Sequence, residues 1–382
     1  MQNPLISAAE EINDREWRTF QANGGATIKL WKGFSFRSTV GMRYQTRRND
    51  IFYGADSQTA KRSSIYGSIT NIESSSLQNS NVLSYSWKNS SHDVAIMVGH
   101  EFVTKWTRQF SAGATQFPND EIGLADLSLG TPSTPTSNEN YDDKLLSFFT
   151  RVNYAHMNRY LFTASIRADG SSKFGKNNKW GYFPAVSAAW RLSEETFIKN
   201  IGIFSDLKLR IGYGLAGNNR INNYQSLAIM SSVTAASGNG AQAGYASNQV
   251  PNPDLKWETT TEVNFGLDFG FFRNRINGSV DVFFKEVKDL LSWRSLPHTA
   301  VTTGIWSNIG KTKSTGFELT LNTVNLEGPL HWESTLTYTS YRDRWKERDP
   351  KVILAPYVKE NDPVSAIYTV SYTHLTLPTI CS

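Results

Sequence analysis

Residues Phe34–Gln45 put Phe34, Phe36, Val40, Met42 and Tyr44 on one parity and Ser35, Arg37, Thr39, Gly41, Arg43 and Gln45 on the other. Successive side chains of a β-strand point to opposite faces, so this alternation describes a strand with one apolar and one polar face. The pattern recurs. In Trp257–Phe271, Trp257, Val263, Phe265, Leu267, Phe269 and Phe271 oppose Glu258, Thr260, Glu262, Asn264, Gly266 and Asp268. Asp206–Tyr213 sets Leu207, Leu209, Ile211 and Tyr213 against Asp206, Lys208 and Arg210, and Leu330–Tyr341 sets Leu330, Trp332, Leu336 and Tyr338 against His331, Glu333 and three threonines. A slip of one residue would carry the charges onto the apolar side, so register is constrained as well as class. Further strands are expected at 25–31, 81–88, 93–102, 145–156, 159–169, 180–192, 275–288 and 315–325, making about twelve.

Alternation alone fits a soluble β-sandwich as well as a membrane wall. The connections separate the two. Short turns fall at Lys32-Gly33, Asn89–His92, His156–Asn158, Arg273-Asn274 and Glu327–Pro329. Between them lie long polar loops at 46–80, 103–144, 214–256 and 289–314, with a shorter one at 170–179. The turn at 193–205 is longer and opens on a helix-like Ser193-Glu194-Glu195. Short and long connections on alternate ends mark an outer-membrane barrel. Trp31, Tyr44, Tyr85, Trp87, Trp190, Tyr213, Trp257 and Phe271 fall near strand ends, where such a barrel carries aromatic girdles. The fold class expected is therefore all-β: an antiparallel, up-and-down transmembrane β-barrel.

Aromatic residues reach 13% while hydrophobic residues stay at 39%, as a wall with one apolar face requires. No apolar run approaches the ~18 residues of a membrane helix. The net charge of +5 is spread over single Lys and Arg residues among acids, so no nucleic-acid partner is expected. One cysteine, Cys381, excludes a disulfide framework or cysteine-rich zinc site. The histidines at 92, 100, 156, 298, 331 and 374 lack ligand spacing, and no cofactor is expected.

Gly212, Gly214 and Gly217 spell G-x-G-x-x-G, but the motif binds a dinucleotide only where a strand feeds through it into a helix. Asn218-Asn219-Arg220 and a Ser/Ala/Gly-rich loop follow instead, so the glycines read as the rim of a strand. No nucleophile-elbow or metalloprotease motif is present, and Asp142-Asp143 and Glu194-Glu195 read as solvated turn charges; no enzyme is expected. Arg37, Arg43, Glu258, Glu262, Asp268, Asp281, Lys285 and Glu333 fall on the polar side and face water or a filling plug. Tyr224, Tyr245, Trp293 and Trp306 are candidate substrate or lid contacts in the long loops, since an aromatic face matches the apolar face of a sugar; loop self-packing explains them equally.

Four stretches resemble one family. RYLFTASIRADGSSKFGKNNKWGYFPAVSAAWRLSEE at Arg159–Glu195 is similar to the DGSS-x-FG…W-G-x-FP…S-A-x-W-R-x-SEE block of SusC/RagA-like TonB-dependent transporters. SDLKLRIGYGLAGN at Ser205–Asn218, the N-P-x-L-K-W-E run within Pro251–Leu291, and NIGKTKSTGFELTL at Asn308–Leu321 follow in the same order. The resemblance implies a plugged barrel of the 22-stranded class, of which about twelve strands would lie here. It further implies import of oligosaccharides or peptides across the outer membrane of a Gram-negative cell, energy from the TonB complex, and a SusD-like surface lipoprotein as partner. A siderophore or cobalamin receptor of the same class, or a soluble all-β binding or adhesion module, are the alternatives. Residues 1–369 are expected to be a partial barrel domain without plug domain or C-terminal strands, because the chain opens among barrel strands without a signal peptide. Residues 370–382 contain VSYTHLTLPT, which reads as a translated transposon-type sequencing adapter and is expected to be foreign to the protein.

Overall fold

The computed structural model describes residues 4–237, 240–297, 300, 302–350 and 358–366; the expectation about 370–382 lies outside these. The strands are β1 Glu11–Lys29, β2 Phe34–Tyr53, β3 Tyr66–Lys88, β4 His92–Thr115, β5 Thr131–His156, β6 Tyr160–Ser171, β7 Trp180–Arg191 and β8 Phe204–Asn218, then β9 Ile229–Ser237, β10 Gly240–Gln249, β11 Glu258–Phe271, β12 Ile276–Lys288, β13 Leu291–Ser295, β14 Gly304–Asn308, β15 Lys311–Leu326 and β16 Trp332–Glu347. Twelve of them form one antiparallel sheet in chain order, while β9–β10 and β13–β14 are separate hairpins within two long connections. All twelve expected wall strands are present. The first and last, β1 and β16, do not pair with each other.

The registers align the apolar parities across neighbours. One row runs Tyr154, Phe162, Ala188, Ile211, Phe265, Val282, Phe317 over seven strands. Phe162, Ile211 and Phe265 are 46%, 47% and 47% exposed, as are comparable apolar side chains in the rows above and below. A continuous exposed apolar face of this size is what lipid covers. It sets aside the soluble-module reading.

Rings mark the lower border of the belt at the short-turn end. Trp31 meets Phe34, Phe34 meets Tyr85, Trp87 stacks on His92 and His92 on Tyr154, and Tyr160 stacks on Trp190 at 6.1 Å. From Phe34 to Tyr44 the strand covers about 33 Å, or about 25 Å once tilted by about 40°, matching the height of a lipid-facing band. Trp106 stands level with Tyr44 through Ser75 at the upper border.

Three expectations are corrected. The loops expected at 46–80 and 103–144 are largely strand, because β2 and β3 continue to Tyr53 and from Tyr66, and β4 and β5 reach Thr115 and start at Thr131. Above the belt both faces meet water, so the alternation that betrays a strand lapses. Trp257 is not a girdle residue, being 8% exposed and packed inside the long-loop end. The loops 214–256 and 289–314 contain the hairpins β9–β10 and β13–β14. The 193–205 turn does open with helical turns, Leu192–Glu194 and Thr196–Lys199.

Candidate functional site

The long-loop end is closed in part by a small core. Phe174, Phe183, Ile221, Leu255 and Trp257 are buried together, with Leu145, Leu215, Leu291 and Trp306 packed around them. Trp257 meets Phe174 at 5.3 Å and the edge of Phe183 at 5.4 Å, while its indole N–H donates to the Lys179 carbonyl at 2.9 Å. This satisfies the indole's one polar atom, without which burying it would be costly. Two loops distant in sequence thus lock together, and glycines permit the approach: a Cβ on Gly175 would stand 2.5 Å from the Pro253 carbonyl oxygen. Gly217 makes room for the Phe183 ring in the same way. The G-x-G-x-x-G run ends inside β8, with no helix after it. Its last glycine serves packing.

Below this core the inward side of the wall carries an ion-pair network. The register places Arg210 beside Gly266 and Gly266 beside Asp281. The Arg210 guanidinium crosses over Gly266, donating to both oxygens of Asp268 at 2.8 and 3.0 Å and to Asp281 at 3.1 Å, with Lys208 adding a 2.6 Å ion pair to Asp268. A Cβ on Gly266 would lie 2.6 Å from Arg210 Cζ, so the guanidinium occupies space that the glycine leaves open. On β6, Arg167 binds Asp169 at 2.7 Å and the buried Ser147 hydroxyl at 2.8 Å. Glu258 is a loop anchor, accepting from Asn218 and from the Leu291 backbone N–H.

The sequence-expected contact residues divide into two groups. Trp293 and Trp306 face each other across β13 and β14, ring centroids 6.1 Å apart and nearly perpendicular. Trp306 packs against the buried core, and its carbonyl accepts from Asn252 at 2.7 Å. Trp293 remains 43% exposed and lines a cleft of about 870 Å³ with Arg294, Pro297, Trp345 and Arg348. The Arg348 guanidinium lies over the Trp345 ring at 4.8 Å. Tyr245 is 79% exposed on β10, and Tyr224 sits in the preceding loop, its carbonyl held by Gln249. The structure therefore joins the two tryptophans and leaves the two tyrosines on another hairpin loop. Trp345 and Arg348 were missed by sequence reasoning, since strand β16 was expected to stop at 341 and the charged run after it resembles a loop.

At the opposite end Glu195 accepts hydrogen bonds from the Trp190 indole at 3.1 Å and the Tyr160 hydroxyl at 3.0 Å, with Arg159 at 3.4 Å. These donors favour the carboxylate and hold its pKa below the usual range. Lys199 does the same for Glu194. Glu195 thus clamps the helical turn to the wall, and Glu194 is paired within that turn.

The family model described as "TonB dependent receptor-like, beta-barrel" matches residues 4–374. "TonB-dependent receptor P39" of Formosa agariphila is 32% identical over 352 residues, covering 91% of this chain and 33% of that protein. "TonB-dependent receptor SusC" of Bacteroides thetaiotaomicron is 37% identical over 243 residues, covering 60% of this chain and 23% of its own length. The chain thus spans about a third or less of these curated relatives. Among solved structures, that of the RagAB peptide transporter overlays with a TM-score of 0.83 at 24% identity, over 94% of this chain and 40% of that one. The ferric-catecholate import receptor Fiu of E. coli overlays with a TM-score of 0.56 at 12% identity, over 88% of this chain and 48% of that one.

Proposed function

Because the chain belongs to the TonB dependent receptor-like β-barrel family, we propose that it forms part of the wall and outer mouth of an outer-membrane importer for oligosaccharides or peptides. Import would draw on the TonB complex, and a SusD-like surface lipoprotein would cover the mouth. The observation that carries this is the two-faced wall: an apolar belt outside, polar residues inside, and at the long-loop end a cleft lined by Trp293, Trp345 and Arg348. Aromatic faces and guanidinium groups bind and orient flat or polar solutes. The relatives named SusC and RagAB support the nutrient-importer branch. A ferric-siderophore receptor is the weaker reading, its examples overlaying at lower TM-scores.

The test is uptake by cells lacking the full-length gene that carries this chain. Loss of labelled oligosaccharide or peptide uptake, restored by the gene and abolished by removing TonB, is the expected result. Uptake unchanged by the deletion, or indifferent to TonB, would overturn the proposal. Copurification of a surface lipoprotein with the tagged protein checks the partner.

A further inference from the structure

The outward face of the wall is not evenly filled. The row across its lower belt runs Tyr154, Phe162, Ala188, Ile211, Phe265 and Val282, with a single methyl group at Ala188 where its neighbours carry rings or branched chains. In the row below, Trp190 stands between Tyr160 and Leu209. A groove of about 690 Å³ opens where Ala188 leaves space, walled by Phe162, Trp190, Ile211 and Phe265. It spans β5 to β12, inside the sheet, and faces away from the lumen. A domain filling the barrel would meet the other face, and the open edges at β1 and β16 lie outside the groove.

At its short-turn end the groove changes character. Tyr160 and Trp190, which line it, direct their polar atoms to Glu195 at 3.0 and 3.1 Å, and the Tyr154 hydroxyl lies 2.8 Å from His92 Nδ1. Arg159 precedes Tyr160 with its side chain 35% exposed and one long contact of 3.4 Å to Glu195. A guanidinium carries five N–H donors in a fork that fits phosphate, so that contact leaves donors over. Lys199 and Glu194 extend the border with charges of both signs. Apolar walls that end in cationic and hydrogen-bonding groups at the membrane border match one lipid molecule, its chain above and its phosphate below. The short turns of such barrels face the periplasm, so the leaflet concerned is the inner one. Lipid tails elsewhere are as apolar as the wall, so burial alone selects no particular molecule. Contact on several sides of the chain and charge-assisted hydrogen bonds to the phosphate do select one. We propose that the groove at Ala188 is a binding site for a single phospholipid of the inner leaflet. Such a site is independent of what the barrel imports.

The experiment uses the purified full-length protein that carries this chain, its Ala188→Phe variant, which fills the groove, and a Val98→Phe control. Val98 is 54% exposed on β4, outside the groove, so the control adds a ring to the outward face without filling the site. Heat-modifiable gel mobility confirms that all three are folded. Each is stripped of lipid by detergent exchange and titrated with phosphatidylethanolamine or with a diacylglycerol of the same chains, and native mass spectrometry reads the bound fraction and the oligomeric state. The parent and Val98→Phe should each hold one phospholipid and Ala188→Phe should lose it, while the diacylglycerol, lacking phosphate, should bind the parent severalfold more weakly. Equal binding by Ala188→Phe and the parent, equal loss in both variants, or equal binding of the two lipids overturns the proposal. A parent that retains lipid A in place of phospholipid overturns it too. So does a parent that holds no lipid and forms a dimer that Ala188→Phe splits, which assigns the groove to a second copy of the chain.

Discussion

Gly212 and Gly217 belong to the same glycine motif yet should respond oppositely to one added methyl group. A Cβ on Gly212 meets nothing within 4 Å. On Gly217 it would stand 2.5 and 2.8 Å from Phe183 Cε1 and Cε2 and closer still to Cζ, where carbon atoms prefer about 3.5–4.0 Å. The ring would have to withdraw by about 1 Å or more on that scale, and it cannot do so freely, being 8% exposed with Trp257 at its edge. Overpacking of this kind costs about 1–3 kcal/mol. Gly212→Ala is expected to be neutral or stabilising by up to ~1 kcal/mol through the unfolded chain. The assay is protease sensitivity of the long-loop end together with urea unfolding of the full-length protein in detergent. Gly217→Ala should expose the loops and lower stability, and Phe183→Leu in the same chain should recover part of the loss, a coupling that a double-mutant cycle isolates. Equal behaviour of the two alanine variants, or no relief from Phe183→Leu, would refute the packing argument.

Replacing Arg210 with Met should destabilise the wall by about 1.5–3 kcal/mol, because Asp268 and Asp281 lose charge-assisted hydrogen bonds together; adding Asp268→Asn should restore part of it, read by urea midpoints. Glu195 offers a pH signature. Its folded pKa is depressed, so its stabilising contribution is present above the unfolded value of about 4.3 and is lost as pH falls through the folded pKa. The thermal midpoints of the parent and Glu195→Gln should therefore converge in acid and separate near neutrality; a constant gap across pH would contradict this. Trp293→Ala and Trp345→Ala, which strip two walls of the mouth cleft, should weaken ligand binding by severalfold without changing heat-modifiable mobility. Residues 1–369 produced alone should fail to form a closed barrel, because β1 and β16 would each present an unpaired edge that lipid cannot satisfy; channel activity from that fragment would show otherwise.

How legible the fold was depended on whether a strand's two faces meet different media. Phe34–Gln45 lies between lipid and water, and its alternation placed β2 correctly. Thr46–Asp50 continues the same strand where both sides are wet, so Thr46, Arg47, Arg48, Asn49 and Asp50 carry no period and read as loop. Trp257 shows the other failure. Its parity matched the outward residues of β11, but it precedes that strand, and the Leu255 loop folds it into the core at the mouth. Parity fixes a face only inside a ladder.

The site follows the same logic. Trp293 and Trp306 were each visible as loop aromatics, but their contact depends on the β13–β14 pairing, for which the intervening residues hold no short turn signal. Trp345 and Arg348 were hidden because a charged, unalternating run looks like a loop whether or not it is hydrogen-bonded to a neighbour. The inward arginines were visible one by one, and the structure adds which of them lack partners. The distinction matters because the paired half of the wall, around Arg210, has its charges committed to holding strands together. Around Arg43 no such pair forms among the described residues, and the strands there are held by their backbone ladder.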